Sequence, residues 1–342
     1  MAPSPSMARL SPPRDLTGLL RKLDGDAFAH GSSTDIWKGE WKTPPPGGSR
    51  DGFVAIKVIR AALAPDRVEE LSHVRYNLTD SLALADIAPQ KLKREAHVWA
   101  SLKDPNIVPL LGIVVLDVTP TNVPSLVSPY YKNGNLKSYM KQHRTGLSSS
   151  DMLNMTYQFA SGLDYLHRSN VVHGDLKPDN LLINDRREVV ISDFGLSRVL
   201  ETTGFTTKNF YGAVRYTAPE ILDYTSPSGS SKYIPKTLYA DIWAFAITST
   251  EVPRSMTTFG LLTISLQIFS SKQPYENKND STVLQYVKIK KGRLEREHYK
   301  QEISETLWSM FERCWQYEPS ERPRMHMIKK FLEDKKSKPI AR

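Results

Sequence analysis

The sequence predicts an α+β protein with a small antiparallel β-sheet lobe followed by a larger, mostly α-helical lobe. Short strands and turns dominate residues 26–60, and the β-branched, apolar segment 54–59 is typical of a buried strand. After the turn Asn133-Gly134-Asn135, apolar residues recur at helical spacing, between loops, for most of the remaining chain. This change of pattern divides the chain into two regions.

The composition supports a folded protein with a substantial core. Hydrophobic residues make up 39% of the 342 residues and charged residues 24%, which excludes a wholly disordered, collagen-like or coiled-coil protein. Because Cys314 is the only cysteine, an internal disulfide and a cysteine-rich zinc domain are excluded as well. The net charge of +9 favours anionic partners such as nucleotide phosphates or acidic peptides, without choosing among them.

The two ends of the chain and its most apolar segment indicate where in the cell the protein is located. Residues 1–16 are predicted to form a disordered leader, because residues 1–13 are rich in proline, serine and alanine. Residues 259–269 are apolar but much shorter than the roughly 20 residues that span a bilayer. Residues 336–342 are predicted to be a tail, and the basic residues 329–338 are predicted to be a solvated helix end, so no nucleic-acid binding is expected. We therefore expect an intracellular, cytoplasmic or nuclear protein without a membrane span.

Three short motifs indicate the type of chemistry. Transfer of a γ-phosphoryl group needs ligands for Mg²⁺, a carboxylate that accepts the hydroxyl proton, and cations that hold the phosphates. The residue types of the motifs fit that chemistry, although each motif alone is weak evidence. The motifs are His173-Gly174-Asp175-Leu176-Lys177-Pro178-Asp179-Asn180, Ser192-Asp193-Phe194-Gly195 and Ala218-Pro219-Glu220.

The spacing of these groups indicates that they act together. Asp175 and Asn180 lie in one loop, so both can face a single metal–phosphate cluster. Asp193 brings a second carboxylate from a later loop, and Lys177 can balance charge on the transferring phosphate. Each residue taken alone has an ordinary structural explanation, such as a turn or a solvated surface position. Their order and spacing together favour phosphoryl transfer.

With these motifs, residues 17–335 resemble a eukaryotic protein kinase, closest in character to the tyrosine-kinase-like group with a Ser/Thr-type catalytic loop. The resemblance implies the two-lobed protein-kinase fold, with an N-lobe over about residues 17–131 and a C-lobe over about 132–335. It implies transfer of phosphate from ATP, with Mg²⁺, to Ser or Thr of protein substrates. The Lys177-Pro178 pair resembles Ser/Thr enzymes, while tyrosine phosphorylation stays open and the oligomeric state is not indicated.

The resemblance also assigns roles to individual residues. Asp175 is the implied catalytic base, and Lys177 stabilises the transition state. Asn180 and Asp193 are the implied Mg²⁺ ligands. Lys57 of Val54-Ala55-Ile56-Lys57 binds the α- and β-phosphates. The other implied ATP-binding residues are Glu95, which pairs with Lys57, and Gly31, Ile36, Ala55, Ser128 and Tyr130.

Two supporting contacts are implied in the same way. Glu220 should form a buried ion pair with Arg322, and Asp241 should anchor the catalytic-loop backbone from the helix beneath it. The Ala-Pro-Glu motif paired with Arg322 shapes a platform for a peptide. A small-molecule phosphotransferase of related fold has no need of that platform, so this reading is less favoured.

The phosphate-covering loop departs from the family pattern. Counting back from Ile36, only Gly31 of the three expected glycines is present, and Ala29 and Thr34 occupy the other two positions. Side chains there restrict the backbone conformations and the close approach that glycine permits, so ATP binding should be weakened. The alternative function is therefore a catalytically weak or dead pseudokinase scaffold. The presence of the complete set of catalytic residues favours the enzyme.

Two segments are longer than the family pattern. The helix that begins near Asp241 should be interrupted after Phe245, because the family rhythm resumes only at Gly260. Residues 246–259 are therefore predicted to be an anomalous insertion, either looped out of the fold or produced by a retained intron or gene-model error. Pro253 lies inside it, where a helix interior would lose about 3 kcal/mol or more. A second insert is predicted at residues 61–88.

Gly174 stands where many kinases carry an arginine that pairs with a phosphorylated activation loop. Ala213 also replaces a threonine that contacts the catalytic residues in Ser/Thr kinases. We therefore expect phosphorylation of the threonines at positions 202, 203, 206 and 207 to have little effect on turnover. Phosphorylated and phosphatase-treated samples should give equal rates, and a strong drop after dephosphorylation would contradict the expectation.

Overall fold

The computed structural model describes residues 13–23, 25, 27–30, 34–43, 52–59, 96–116, 124–143, 147–193, 198–199, 214–222, 237–250, 274–275, 278–298 and 303–337. The chain divides into two compact units. The first unit comprises residues 1–104 and 108–130, and the second comprises residues 105–107 and 131–342. The α+β class and the separation into a sheet-bearing part and a helical part are confirmed.

The first unit contains an antiparallel sheet with the strand order β1-β3-β4-β6-β5, and β2 pairs with β3. Residues 96–101 are helical. Trp99 of this helix is buried, and its indole N–H donates to the carbonyl of Val108. The strands are β1 (Leu20–Lys22), β2 (Ala29–His30), β3 (Thr34–Trp41), β4 (Phe53–Ile59), β5 (Gly112–Val114) and β6 (Ser125–Pro129).

Alternation along β4 gives the sheet two different faces. Val54, Ile56 and Val58 are buried in the core of the first unit, where they pack with other apolar side chains. Because successive side chains of a strand point to opposite faces, Ala55 and Lys57 lie on the other face. The apolar segment recognised in the sequence therefore builds the core with every second residue only.

The second unit is mostly helical, with two short strand pairs. A β7–β10 pair and a β8–β9 hairpin accompany the helices. Its strands are β7 (Val171–Val172), β8 (Leu181–Ile183), β9 (Val189–Ile191) and β10 (Arg198–Val199). Its α-helices are α1 (Leu136–Gln142), α2 (Ser149–Arg168), α3 (Pro219–Leu222), α4 (Leu238–Thr250), α5 (Asp280–Lys288), α6 (Glu305–Cys314) and α7 (Met325–Ser337).

Local sequence explains where α1 and α2 begin. Asn135 caps α1 by accepting from the backbone N–H of Ser138. Ser148 and Asp151 form a reciprocal capping box at the start of α2. Further along α2, Gly162 allows the carbonyl of Asn106 to approach closely, because a Cβ there would lie 2.7 Å from that oxygen. Helix α2 also packs against α7 and β9.

Helix α4 is the most completely buried helix among the described residues, with residues 240–250 all buried. Phe245 packs against Phe159 of α2, with the ring centroids 4.8 Å apart. The predicted interruption after Phe245 is wrong, because the helix continues to Thr250 and its alternating small and apolar residues fit a buried environment. Residues 251–259 and 61–88 lie outside the described residues, so both insertions stay predictions. Within the described ranges, no helix is both long and apolar enough to cross a membrane.

Arg322 joins several elements of the second unit. Its guanidinium forms a bidentate pair with Glu220, at 2.7 and 2.8 Å, as the sequence implied. It also donates to the carbonyls of Tyr239 and Gln316, and its side chain is fully buried. The fork of donors suits this geometry better than a lysine would.

We expect Arg322→Ala to lower the free energy of unfolding by about 3–5 kcal/mol, because it removes one partner of a buried pair. Arg324→Ala is the matched control, since Arg324 is exposed and its guanidinium stacks on Tyr239. The control should cost about 0.5–1 kcal/mol. Urea unfolding of both variants measures the difference, and equal losses would contradict a structural role for the Glu220 pair.

Candidate active site

The predicted catalytic loop lies between β7 and β8 and ends in a 3₁₀ turn, Pro178–Asn180. Asp241 of α4 holds the beginning of this loop. Its two carboxylate oxygens accept the backbone N–H groups of His173 and Gly174, at 2.9 and 2.8 Å. Gly174 has φ +78°, a conformation that glycine adopts without strain. The implied anchoring role of Asp241 is confirmed by these contacts.

The carboxyl group of Asp241 is ionised although it is buried. Burial is the largest influence and would by itself raise its pKa. The hydrogen bond from His167, the charge of His167 and the N–H of Gly174 outweigh that effect and hold the pKa of Asp241 below its ordinary value of 3.8. Nε2 of His167 lies 3.2 Å from the carboxylate. The anchor is therefore a buried anion satisfied from several directions.

Asp175, Lys177 and Asn180 meet in the loop as the sequence predicted. The Lys177 ammonium donates to Oδ2 of Asp175 at 2.7 Å. The Asn180 amide nitrogen donates to the same oxygen at 3.1 Å and to the Asp175 carbonyl at 2.7 Å. Within the part of the chain that the structure describes, Oδ1 of Asp175 has no hydrogen-bond partner. One carboxylate oxygen is thus fixed and the other is available.

His173 connects the catalytic loop to the segment that carries Asp193. Its Nε2 donates to the carbonyl of Ser192 at 2.8 Å, while its Nδ1 accepts the N–H of Asp175 at 3.2 Å. These partners require a neutral ring protonated on Nε2. Ser192 also donates its backbone N–H and its hydroxyl to the Asn180 carbonyl. Asp193 is therefore tied next to Asn180 through its immediate neighbour.

The side chains of Asn180 and Asp193 fit the expected metal by their donor chemistry. They offer an amide oxygen and a carboxylate, and Mg²⁺ prefers oxygen ligands. The amide nitrogen of Asn180 is engaged with Asp175, which leaves its carbonyl oxygen as the ligating atom. The described ranges hold no cluster of three or more His, Cys, Asp or Glu suited to a metal. Nucleotide-bound Mg²⁺ needs only one or two such side chains, because phosphates and waters complete its shell.

In the first unit, four of the predicted ATP-binding residues share one face of the sheet. Ile36 pairs directly with Lys57 across β3 and β4, and Ala55 pairs with Ser128 across β4 and β6. Directly paired residues of an antiparallel sheet lie on the same face. Lys57 and Ser128 are buried, whereas Ile36 and Ala55 are partly exposed. This face is the one opposite the apolar core.

Tyr130 lies at the end of the same face within an aromatic group. Its ring meets those of Phe28 and Phe53 edge-on, with centroids 5.4 and 6.4 Å apart. The Lys38 ammonium lies 3.7 Å from the Phe53 centroid and 4.6 Å from that of Tyr130. These contacts hold the Tyr130 ring in one orientation.

Some predicted residues cannot be placed, and some supporting residues were missed. Gly31 and Glu95 lie outside the described residues. The sequence analysis did not single out His167, which contacts Asp241. It did not single out Lys38, whose alternation with Ile36 along β3 places it on the same face. That alternation was the signal that could have identified Lys38.

The geometry agrees with what sequence comparison finds. The sequence profile described as "Protein tyrosine and serine/threonine kinase" matches residues 80–332. The chain belongs to this kinase family. The kinase resembles the tyrosine-protein kinase transforming protein Abl of Abelson murine leukemia virus, with 30% identity over 258 residues. The matched region covers 73% of the chain and 30% of the Abl protein, so the chain spans less than a third of that relative's length.

Asp241→Asn should destabilise the kinase, because an amide cannot accept two backbone N–H groups with both terminal atoms. We expect a loss of about 1–3 kcal/mol at neutral pH, the usual cost of an unsatisfied buried donor. The native pKa of Asp241 lies below 3.8, so its stabilising effect is present above that pH and disappears as the pH falls through the native pKa. The difference between wild type and variant should therefore shrink on acidification. Chemical unfolding over a pH series measures it, and a constant difference would contradict this account.

Proposed function

We propose that this kinase transfers the γ-phosphoryl group of ATP to Ser or Thr of cytoplasmic proteins. The observation that carries the proposal is the state of Asp175. Its Oδ2 accepts from both Lys177 and Asn180, while its Oδ1 has no partner among the described residues. A carboxylate held in this way is suited to receive the proton of a substrate hydroxyl.

In this reaction Asp175 receives the proton of the hydroxyl, whereas Lys177 stabilises negative charge on the phosphate. The substrate hydroxyl oxygen would form a bond to the γ-phosphorus of ATP while the bond from that phosphorus to the β-phosphate oxygen breaks and ADP leaves. The hydroxyl proton would pass to Oδ1 of Asp175. The Lys177 ammonium, 2.7 Å from Oδ2 of Asp175, would neutralise negative charge that develops on the transferring phosphate. Since the protein contributes little covalent chemistry in phosphoryl transfer, the position of these two groups supplies most of its effect.

Nucleotide binding is assigned to residues of both units. Asn180 and Asp193 would hold Mg²⁺, which when bound neutralises charge on the phosphates. Lys57 would contact the α- and β-phosphates. Ala55 and Ser128 share the face of Lys57, where small side chains leave room for a planar base.

Specificity for Ser and Thr is supported by Lys177 and Pro178. A lysine two residues after the catalytic aspartate resembles the Ser/Thr type of loop, and Pro178 starts the 3₁₀ turn that brings Asn180 back to Asp175. The Abl relative is named a tyrosine kinase. Tyrosine transfer is therefore the competing outcome in any substrate test.

A pseudokinase scaffold is the second candidate, and a specific observation favours it. Ala29 and Thr34 lie on β2 and β3, which flank the predicted phosphate-covering loop, at positions where the family carries glycine. Their Cβ atoms limit how closely the backbone can approach a phosphate. This weakens ATP binding, whereas the cluster around Asp175 has no evident use in a scaffold.

Phosphate transfer to a basic test protein should fall by about 10²–10⁴ in Asp175→Asn, the usual contribution of a positioned general base. Asp179→Asn is the matched control, because Asp179 lies in the same loop but is exposed. The control should keep wild-type turnover. Equal signal from wild type and Asp175→Asn would leave only the scaffold.

The same preparations address specificity. Three peptides that differ only in having Ser, Thr or Tyr at the acceptor position are offered with Mg·ATP. We expect phosphate on the Ser and Thr peptides and none above the Asp175→Asn background on the Tyr peptide. Preferred labelling of the Tyr peptide would refute Ser/Thr specificity while leaving kinase activity in place.

A further inference from the structure

Arg215 is a buried cation to which the proposed reaction gives no role. It lies in the 3₁₀ turn Val214–Tyr216, shortly before the Ala218-Pro219-Glu220 motif, and only 9% of it is exposed. A guanidinium without hydrogen-bond partners is costly to bury, because its N–H donors lose their contacts with water. The partners of Arg215 therefore indicate its role.

The donors of Arg215 converge on the segment that precedes α5. Nη1 donates to the carbonyls of Pro274 and Tyr275, at 2.7 and 3.0 Å, and Nη2 donates to the carbonyl of Lys278 at 2.6 Å. Nε lies 3.0 Å from Oδ1 of Asp280, the first residue of α5. Three backbone carbonyls and one carboxylate thus surround the guanidinium.

Because most of these partners are backbone carbonyls, the shape of this segment depends on Arg215. Carbonyl oxygens directed at one point repel one another unless a donor lies between them. Tyr275 also has φ +57°, a left-handed conformation that residues with a side chain rarely adopt. The planar fork of an arginine can contact all three carbonyls, whereas a lysine has the charge without the fork.

Asp280 contributes less to this arrangement than the carbonyls do. Its side chain is 68% exposed, and an ion pair at such a position is screened by water and stabilises little. Neutralising the Asp280 carboxylate would leave the three carbonyl contacts of Arg215 in place. The two kinds of partner can therefore be separated by mutation.

A second arginine holds the other end of the same segment. Glu220 pairs with Arg322, at 2.7 and 2.8 Å. The turn Val214–Tyr216 packs against both α4 and α5. Helix α4 also carries Asp241, which anchors the catalytic loop. Residues 215–220 are thus fixed at both ends, next to the helix that fixes the catalytic loop.

We propose that Arg215 is a positioning residue for the protein substrate. It fixes residues 215–220 to the segment before α5, so that the surface that receives the acceptor peptide keeps a single shape. The inference rests on the proposed transfer of phosphate to protein substrates. Because the guanidinium nitrogens of Arg215 are engaged with that segment, the residue acts through the peptide-binding surface and not on ATP.

Arg215→Lys tests this role, because the substitution keeps the charge and removes the fork. Phosphate transfer is measured with Mg·ATP and the acceptor peptide that the wild type labels, and the concentration of one reactant is varied at a time. We expect kcat/KM for the peptide to fall by about 10–100-fold, mainly through KM. KM for ATP should stay within about twofold of the wild-type value. Thermal unfolding of the variant should stay cooperative.

Two control variants separate positioning from general effects. Asp280→Asn removes only the exposed ion pair and should change kcat/KM for the peptide by less than about fivefold. Arg296→Lys alters another partly buried arginine of the second unit, which stacks on Trp308 and pairs with Glu305. This second control should leave both KM values unchanged.

The outcomes distinguish this inference from the proposed function. An unchanged KM for the peptide in Arg215→Lys, or an equal rise of both KM values, would overturn the inference. An equally large loss in Asp280→Asn would also overturn it, and so would loss of cooperative unfolding in Arg215→Lys, because Arg215 would then serve the whole fold. Failure of the wild type to label any peptide would refute the proposed function and this inference with it.

Discussion

The buried carboxylate of Asp241 is the contact on which the candidate active site depends. It lies on the most buried helix described and accepts two consecutive backbone N–H groups of the catalytic loop. From that anchored start, His173 reaches the segment of Asp193, and the loop turns back so that Asn180 contacts Asp175. A buried anion is costly unless it is satisfied, and here its satisfaction is what shapes the loop.

Short-range features of the site were predictable from the sequence. Asp175, Lys177 and Asn180 lie within six consecutive residues, so a single turn can bring them together. Glu220 and Arg322 are 102 residues apart in the sequence, so their contact cannot be predicted from sequence spacing. Only the resemblance to kinases indicated that contact, because the position of the two residues is a property of the whole fold.

Other features were not predictable for identifiable physical reasons. The role of His167 was not predicted, since a helix pattern does not show that a buried carboxylate lies opposite this side chain. The end of α4 was placed five residues too early, because the comparison with the family pattern assigned residues 246–250 to an insertion although they continue the helix. The strand β4 was easier to predict from the sequence, because the alternation of side chains between the two faces of a sheet is a direct consequence of backbone geometry.

The alternation along β4 has a consequence for how the chain can vary in length. Removal of a single residue inside this strand would exchange the environments of its neighbours: the ammonium of Lys57 would point into the hydrophobic interior and the side chain of Ile56 towards solvent. Such a slip damages the apolar interior and the opposite face of the sheet in one step. We therefore expect insertions and deletions to be tolerated in the connecting turns and not within β4.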